Sequence, residues 1–358
     1  MKNHFRIFNL SVCLFFCLTA VTQAADAWKF GVIPDTQWRQ IEGEENHGVG
    51  THMIDAVVAE MIKQDVDLVI HVGDLCDRAS DEAFAVAAKH FQPLAEAGIK
   101  FYPIRGNHDS SNENSAEQFA RAFPNLPGTP NAEGSSPNLP SIAGLTYAFT
   151  HKNVKFVMLD IFRVKVNGET IDYKPGDFQP WINAELQAND HQHAIVVSHK
   201  NLVGQNHKDN IFTSTSTQNR HAEMQNAFFK SLQDNGVRYY LSGHDHLYYR
   251  ARIKSPNRES EVMQIICGSC ASKFYSPKAP YSMRDIPQAQ EINRNGFMIF
   301  TIDGDTVTAE YFSTKPFGDK PARPKWELRE RFGYSLDGST FEEQKVNMKN
   351  FERYNIVP

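Results

Sequence analysis

The stretch DLVIHVGDLCDR, residues 67–78, decides how the rest of the chain is read. Its first seven residues form an almost unbroken apolar run ending at a glycine, the mark of a strand covered on both faces. The run stops abruptly at Gly73-Asp74, and polar residues follow. Helical spacing of apolar residues precedes it in HMIDAVVAEMIKQ (52–64) and follows it in DEAFAVAAKHFQPLAEAG (81–98). Beyond these stand two more apolar runs, WKFGVI (28–33) and KFYPIRG (100–106). Strand, helix, strand, helix, strand in this order predicts crossover connections and a parallel sheet.

Outward from this opening the pattern changes. Residues 110–144 form a polar excursion rich in Ser, Asn, Pro and Gly, with one short helical segment, SAEQFARAF (115–123). A predicted hairpin, 146–162, turns at Lys152-Asn153. A helix (177–187), a strand HAIVVSH (193–199), a helix (221–236) and a strand VRYYLSG (237–243) follow. VMQIIC (262–267) is a further strand, and FMIFTIDGDTVTAEYF (297–312) a hairpin turning at Asp303-Gly304. The sum is a mixed α/β protein: two sheets face to face with helices outside. Residues 25–314 are expected to form one domain, and 315–358 an extension packing across it.

The composition is that of an ordinary globular protein, 41% hydrophobic and 22% charged. The net charge of −5, without a basic stripe, speaks against nucleic-acid binding and so against a nuclease. Residues 1–24 carry a basic start (Lys2, Arg6), an apolar stretch and a small-residue end at Thr22-Gln23-Ala24. They read as a secretory signal peptide, which predicts a periplasmic or extracellular protein without a membrane span in the mature chain. The leader holds both cations and no acid, so the mature charge would be two units more negative, −7. Of the three cysteines left, Cys267 and Cys270 stand in CGSC, either a disulfide or two small buried residues, and Cys76 would be free.

Chemistry-bearing side chains recur at one place in this scheme, the ends of strands. PDTQW supplies Asp35 and Gln37; GDLCDR supplies Asp74, Asp77 and Arg78; GNHD supplies Asn107, His108 and Asp109. The strand HAIVVSH ends in His199, and GHDH (243–246) supplies His244 and His246. In open α/β sheets the crevice beyond the strand C-termini binds ligands. Each motif alone is an ordinary turn; five in succession are not. Carboxylate, imidazole and amide oxygen together suit Mn, Fe, Zn or Co, and one carboxylate is able to bridge two ions. Reading GHDH as extended puts His244 and His246 on one face and turns Asp245 away as a surface residue.

The blocks D-x-Q, G-D-x-x-D, G-N-H-D, a lone His and G-H-x-H resemble, in order, those of the calcineurin-like metallophosphoesterase superfamily. The resemblance runs over about residues 28–312. It implies a four-layer αββα sandwich of two mixed sheets flanked by helices, and a centre of two divalent or trivalent metal ions. It implies Asp74 as the bridging ligand, Asp35, Gln37 and His246 completing one ion position, and Asn107, His199 and His244 the other. It further implies His108 as the acid that protonates the leaving group, oriented by Asp77, and Arg78 as a phosphate-binding residue. The implied reaction is hydrolysis of a small-molecule phosphate ester by a hydroxide held between the ions. Gln37 stands where histidine is commoner. The later blocks resemble purple acid phosphatases, but Asp77 occupies the position of their tyrosine ligand.

Monoesters are favoured as substrates over the phosphodiesters of nucleotides or lipid head groups. A silent metal-binding or interaction domain is the rival from another class; it would predict a missing ligand or acid, and none is missing. Loops carrying Trp38, Arg39, His47, His207 and Lys208 flank the motifs, with solvated loop polarity as their expected role.

Overall fold

The computed structural model describes residues 26–41, 44–130, 132–213, 221–278, 283–317, 323–344 and 346. The leader, residues 1–24, and Phe351 and Tyr354 of the C-terminal extension lie outside the described residues. In chain order the strands are β1 (Trp28–Ile33), β2 (Arg39–Ile41), β3 (Glu44–Val49), β4 (Leu68–His71), β5 (Lys100–Pro103), β6 (Tyr147–His151), β7 (Val154–Leu159), β8 (Val164–Val166) and β9 (Glu169–Ile171). They continue with β10 (His193–Ser198), β11 (Tyr239–Ser242), β12 (Leu247–Lys254), β13 (Glu261–Gly268), β14 (Asp285–Glu291), β15 (Asn295–Asp303), β16 (Thr306–Thr314), β17 (Glu327–Ser335) and β18 (Thr340–Gln344). The helices are α1 (Thr51–Lys63), α2 (Asp81–Glu96), α3 (Ser115–Ala122), α4 (Gln179–Gln187) and α5 (Ala222–Asp234).

Two seven-stranded sheets dominate, with orders β18-β17-β16-β15-β1-β4-β5 and β14-β12-β13-β11-β10-β7-β6. In the first, β1, β4 and β5 are parallel, as the βαβαβ reading requires, and β15 to β18 extend the sheet antiparallel from β1. In the second, β7, β10, β11 and β13 are parallel, with antiparallel strands at both edges. The sheets meet through apolar rings. Phe30 of β1 packs edge-on to Phe156 of β7, and Tyr248 of β12 stacks on Tyr311 of β16 at 3.8 Å between ring centres. The helices α1, α2 and α3 pack on the first sheet's side, α4 and α5 on the second's. This is the expected four-layer α/β arrangement of two mixed sheets with helices outside.

β17 and β18 come from the segment after residue 315 and lie in the first sheet. A buried ion pair ties them to the second: Arg250 Nη2 of β12 donates to Glu330 Oε1 of β17 at 2.7 Å, and the Tyr248 hydroxyl donates to the other oxygen. Among the described residues no helix is long and apolar enough to cross a membrane. Among the described residues Cys76, Cys267 and Cys270 are free and buried; the two thiols of CGSC hydrogen-bond to Ile265 O and Gly296 O and are not joined to each other.

The layout serves one edge of the molecule. β1, β4 and β5 in one sheet, and β10 and β11 in the other, deliver their C-terminal ends to the same region. GHDH itself is not extended: β11 ends at Ser242, β12 begins at Leu247, and His244 and His246 both have left-handed backbone (φ 73° and 48°). The alternation that would have turned Asp245 outward does not apply in a turn. Asp245 is fully buried, a correction to its expected place on the surface.

Candidate metal centre

Asp35 follows β1 and is fully buried. Its Oδ1 accepts from the His244 amide at 2.9 Å and lies 3.5 Å from His246 Nε2. Its Oδ2 is buried with no hydrogen-bond partner among the described residues. Asp74 follows β4; its Oδ1 accepts from the His108 amide at 2.8 Å, and its Oδ2 lies 3.5 Å from His199 Nε2. One ligand atom each of Asp35, Asp74 and His199 fall within 4.8 Å of one another. Burial first, and then the charge of Asp74, pushes the Asp35 carboxyl well above the carboxylate range. Two carboxylates buried side by side with an orphaned oxygen need a cation to be stable as anions.

The imidazoles are poised for that cation. His199 Nδ1 bonds Val72 O at 2.9 Å and its Nε2 approaches Asn107 Oδ1 at 3.0 Å. His246 Nδ1 bonds Lys273 O at 2.9 Å. Burial lowers the pKa of both rings, that of His246 to about 3, so both stay neutral at ordinary pH. Neutral imidazole with one nitrogen oriented by a hydrogen bond is the state that binds a metal ion. His244 is oriented differently, through Nε2 on Asp209 Oδ1 at 3.0 Å, which leaves Nδ1 for an ion. Gln37 places its amide nitrogen, not its oxygen, 3.2 Å from Asp74 Oδ2. A half-turn of the amide supplies the oxygen that ligation needs.

The motif glycines make room for these carboxylates. A Cβ on Gly243 would stand 2.3 Å from Asp35 Oδ2, and one on Gly106 would stand 2.1 Å from Asp74 Oδ1. Gly243 is therefore required by close approach rather than by a turn. The site also concentrates strain: Asp35, Gln37, Asp74, His244 and His246 all have positive φ (22°, 42°, 57°, 73° and 48°). Non-glycine residues persist there only where the surroundings over-determine them. Three N–H groups on Asp109 help: its carboxylate accepts from Leu75, Cys76 and Gly106, tying the second motif to the third. Arg105, buried and paired with Asp160 at 2.6 Å, holds the third motif to the end of β7.

At the rim, His108 Nδ1 lies 2.8 Å from Asp77 O and 3.3 Å from Asp77 Oδ1. Arg78 is exposed and makes no hydrogen bond or ion pair among the described residues. Lys273 Nζ stands 3.7 Å from Asp77 Oδ1. Trp38 does not face a ligand: its ring is buried, its indole N–H bonds Thr51, and its amide bonds Leu75 O. Arg39 is exposed, and the side chain of His47 lies outside the described residues.

Sequence reasoning missed the wall made by residues 200–213. Asp245 accepts from the amides of Gln205, Asn206 and His207, from His207 Nδ1 and from Asn201 Nδ2. Gln264 Oε1 accepts from the amides of Leu202 and Val203. This seats His207 against His244, ring centres 4.1 Å apart, with Tyr275 standing edge-on to it and against His246. It also brings Asp209 to His244. Burial alone would raise the Asp209 pKa, but contacts with His244 and Lys200 outweigh it and hold the carboxyl below the usual range. No local pattern marks Asp209, which stands in a polar loop, HKDN, like many others.

A model of the calcineurin-like phosphoesterase family matches residues 29–248, more than half of the chain. The chain belongs to that family. It is thus a phosphoric ester hydrolase, and the family implies a dinuclear metal centre, which the donor set just described fits. Among solved structures, PhoD is similar over 91% of this chain and 73% of its own, at 13% identity and a TM-score of 0.61. The purple acid phosphatase PPD1 from yellow lupin (Lupinus luteus) is similar over 81% of this chain and 52% of its own, at 16% identity and a TM-score of 0.55. GAP50, the anchor in the inner membrane complex of Plasmodium, is similar over 92% of each chain at 13% identity and a TM-score of 0.50. Identities this low show a shared fold alone. No curated protein matches the sequence.

Proposed function

We propose that this calcineurin-like phosphoesterase is an exported phosphatase that hydrolyses phosphate monoesters at two metal ions. The observation that carries the reading is the buried Asp35–Asp74 pair with an orphaned Asp35 oxygen, faced by imidazoles kept neutral by burial. Asp74 would bridge the ions; Asp35, Gln37 and His246 would complete one position, and Asn107, His199 and His244 the other. Bound ions of the Mn, Fe, Zn or Co type supply a nucleophilic water of lowered pKa and positive charge for the phosphoryl oxygens.

The chain's own residues do the rest. His108, held through Nδ1 at Asp77, keeps Nε2 free to carry a proton to the departing alkoxide. Lys273, whose Nζ stands 3.7 Å from Asp77 Oδ1, and Arg78, the exposed residue that follows Asp77 in the chain, offer two cations beside the acid. A monoester dianion needs that countercharge more than a diester monoanion does, which favours the monoesterase reading. Export rests on the sequence of residues 1–24 alone.

The test is hydrolysis of an aryl phosphate against a bis-aryl phosphate, with metal content measured on the same sample. The expected result is faster turnover of the monoester, two ions per chain, and loss of activity on chelation that added ions restore. Preference for the diester would overturn the substrate assignment; full activity in metal-free protein would overturn the centre.

A further inference from the structure

We infer that Asp209 is a positioning residue for His244, and that it makes the ion position served by His244 the tighter of the two. The inference rests on the two-metal reading above and adds an order of affinities to it.

Each of the three site imidazoles is oriented through one ring nitrogen; the other nitrogen of His199 lies against Asn107 Oδ1, a fellow ligand in the two-metal reading. For His199 and His246 the partner is a neutral backbone carbonyl, Val72 O or Lys273 O, both at 2.9 Å. For His244 the partner is a carboxylate, Asp209 Oδ1 at 3.0 Å. A carboxylate acceptor makes the opposite nitrogen a better electron donor and fixes the ring's orientation more strongly than a neutral acceptor does. Such partners are typically worth about 10- to 100-fold in metal affinity.

Asp209 is fixed without help from an ion. Lys200 Nζ holds its Oδ2 at 2.8 Å, and the lysine lies over the ring of Phe162. The chain just beyond it is pinned, with the Ile211 amide on Asn201 O at 2.9 Å. The Asn210 side chain accepts from the amides of Phe212 and Thr213. A side chain placed in advance spends no ordering entropy when the ion arrives. The other ion position has the opposite bias. Its neutral ligand, Gln37, turns its amide nitrogen toward Asp74 and must rotate to ligate. The two positions are therefore unequal, and they fill in sequence.

The test is calorimetric titration of the metal-stripped full chain with Zn²⁺. The expected wild-type curve has two steps, the first tighter. Asp209→Asn should weaken the tight step by about 10- to 100-fold and leave the other unchanged. In a His244→Ala background the same substitution should have no further effect, because its influence passes through that ring. Should Asp209→Asn fail to fold, Asp209→Ser removes the charge with a shorter side chain and should show at least the same loss. A wild type that binds fewer than two ions would remove the two-metal reading itself. Two wild-type steps with no change in Asp209→Asn would overturn this inference alone. So would an equal weakening of both steps, or a loss additive with His244→Ala, either of which marks a merely structural role.

Discussion

His108 shows how much one side chain's surroundings decide. Its Nδ1 is engaged by the carbonyl and carboxylate of Asp77, and its amide is tied to Asp74, so ring and backbone are both fixed relative to the site. Removing the ring takes away a proton donor and leaves each proposed metal ligand in place. His108→Ala should keep both ions and lose roughly 10²- to 10⁴-fold in kcat on an alkyl phosphate, whose leaving group needs the proton. The loss should shrink on an aryl phosphate with an acidic leaving group. Equal losses on the two substrates would argue for a role in binding instead. At this scale the sequence was most legible. The polar residues at the strand ends stand out because an apolar strand gives no reason for Asp, Asn and His to follow it repeatedly. What surrounds them was not legible, because the partners of Asp245 and His244 come from about 35 to 44 residues away.

Among the elements, the first hairpin turns at Lys152-Asn153 as expected and the second at Gly304-Asp305, one residue past the expected Asp303-Gly304; β12 and β14 went unread, whereas the helices and the other long buried strands announced themselves through periodicity. The short pairs β2–β3 and β8–β9 did not, since strands this short carry almost no period. The most instructive miss is the wall of residues 200–213, expected to be ordinary loop polarity and found wrapped around a buried carboxylate. Asp245 is acceptor-only and receives five hydrogen bonds from this segment, four of them to residues 205–207. Asp245→Asn keeps the shape but replaces an acceptor oxygen by an NH₂ facing donors, and it removes the charge. Hydrogen exchange across residues 201–213 should accelerate strongly in that variant, with a parallel fall in kcat/KM, while the main sheets stay protected. Unchanged protection of this segment would show that Asp245 does not hold it.

For the whole molecule, the parallel opening and the five strand ends were enough to fix a two-sheet sandwich with its site at one edge. The antiparallel extension of the first sheet was hidden, because β17 and β18 alternate charged and apolar residues as any solvated segment does. One buried group makes the stability of the entire fold depend on pH. His71, at the end of β4, accepts the Gly73 amide at Nδ1 and faces Thr36 Oγ1 at Nε2, and Thr36 in turn donates to Leu75 O. The neutral ring is thus satisfied on both sides, and burial lowers its pKa from 6.5 to about 3. In the unfolded chain the ring takes a proton below about pH 6.5; in the folded chain it does so only near 3. The unfolded state therefore binds more protons between these values, and stability falls as the pH drops through that window and is unaffected above it. From pH 7 to pH 5 the loss due to this ring is roughly 2 kcal/mol. His71→Gln, with no ring to protonate, should be less stable at pH 7 but should lose about that much less on going to pH 5. Urea unfolding of metal-stripped wild type and variant at the two pH values measures the difference. Identical pH dependence in the two proteins would show that His71 is not the group responsible. His199 and His246, lowered by burial in the same way, remain in both proteins.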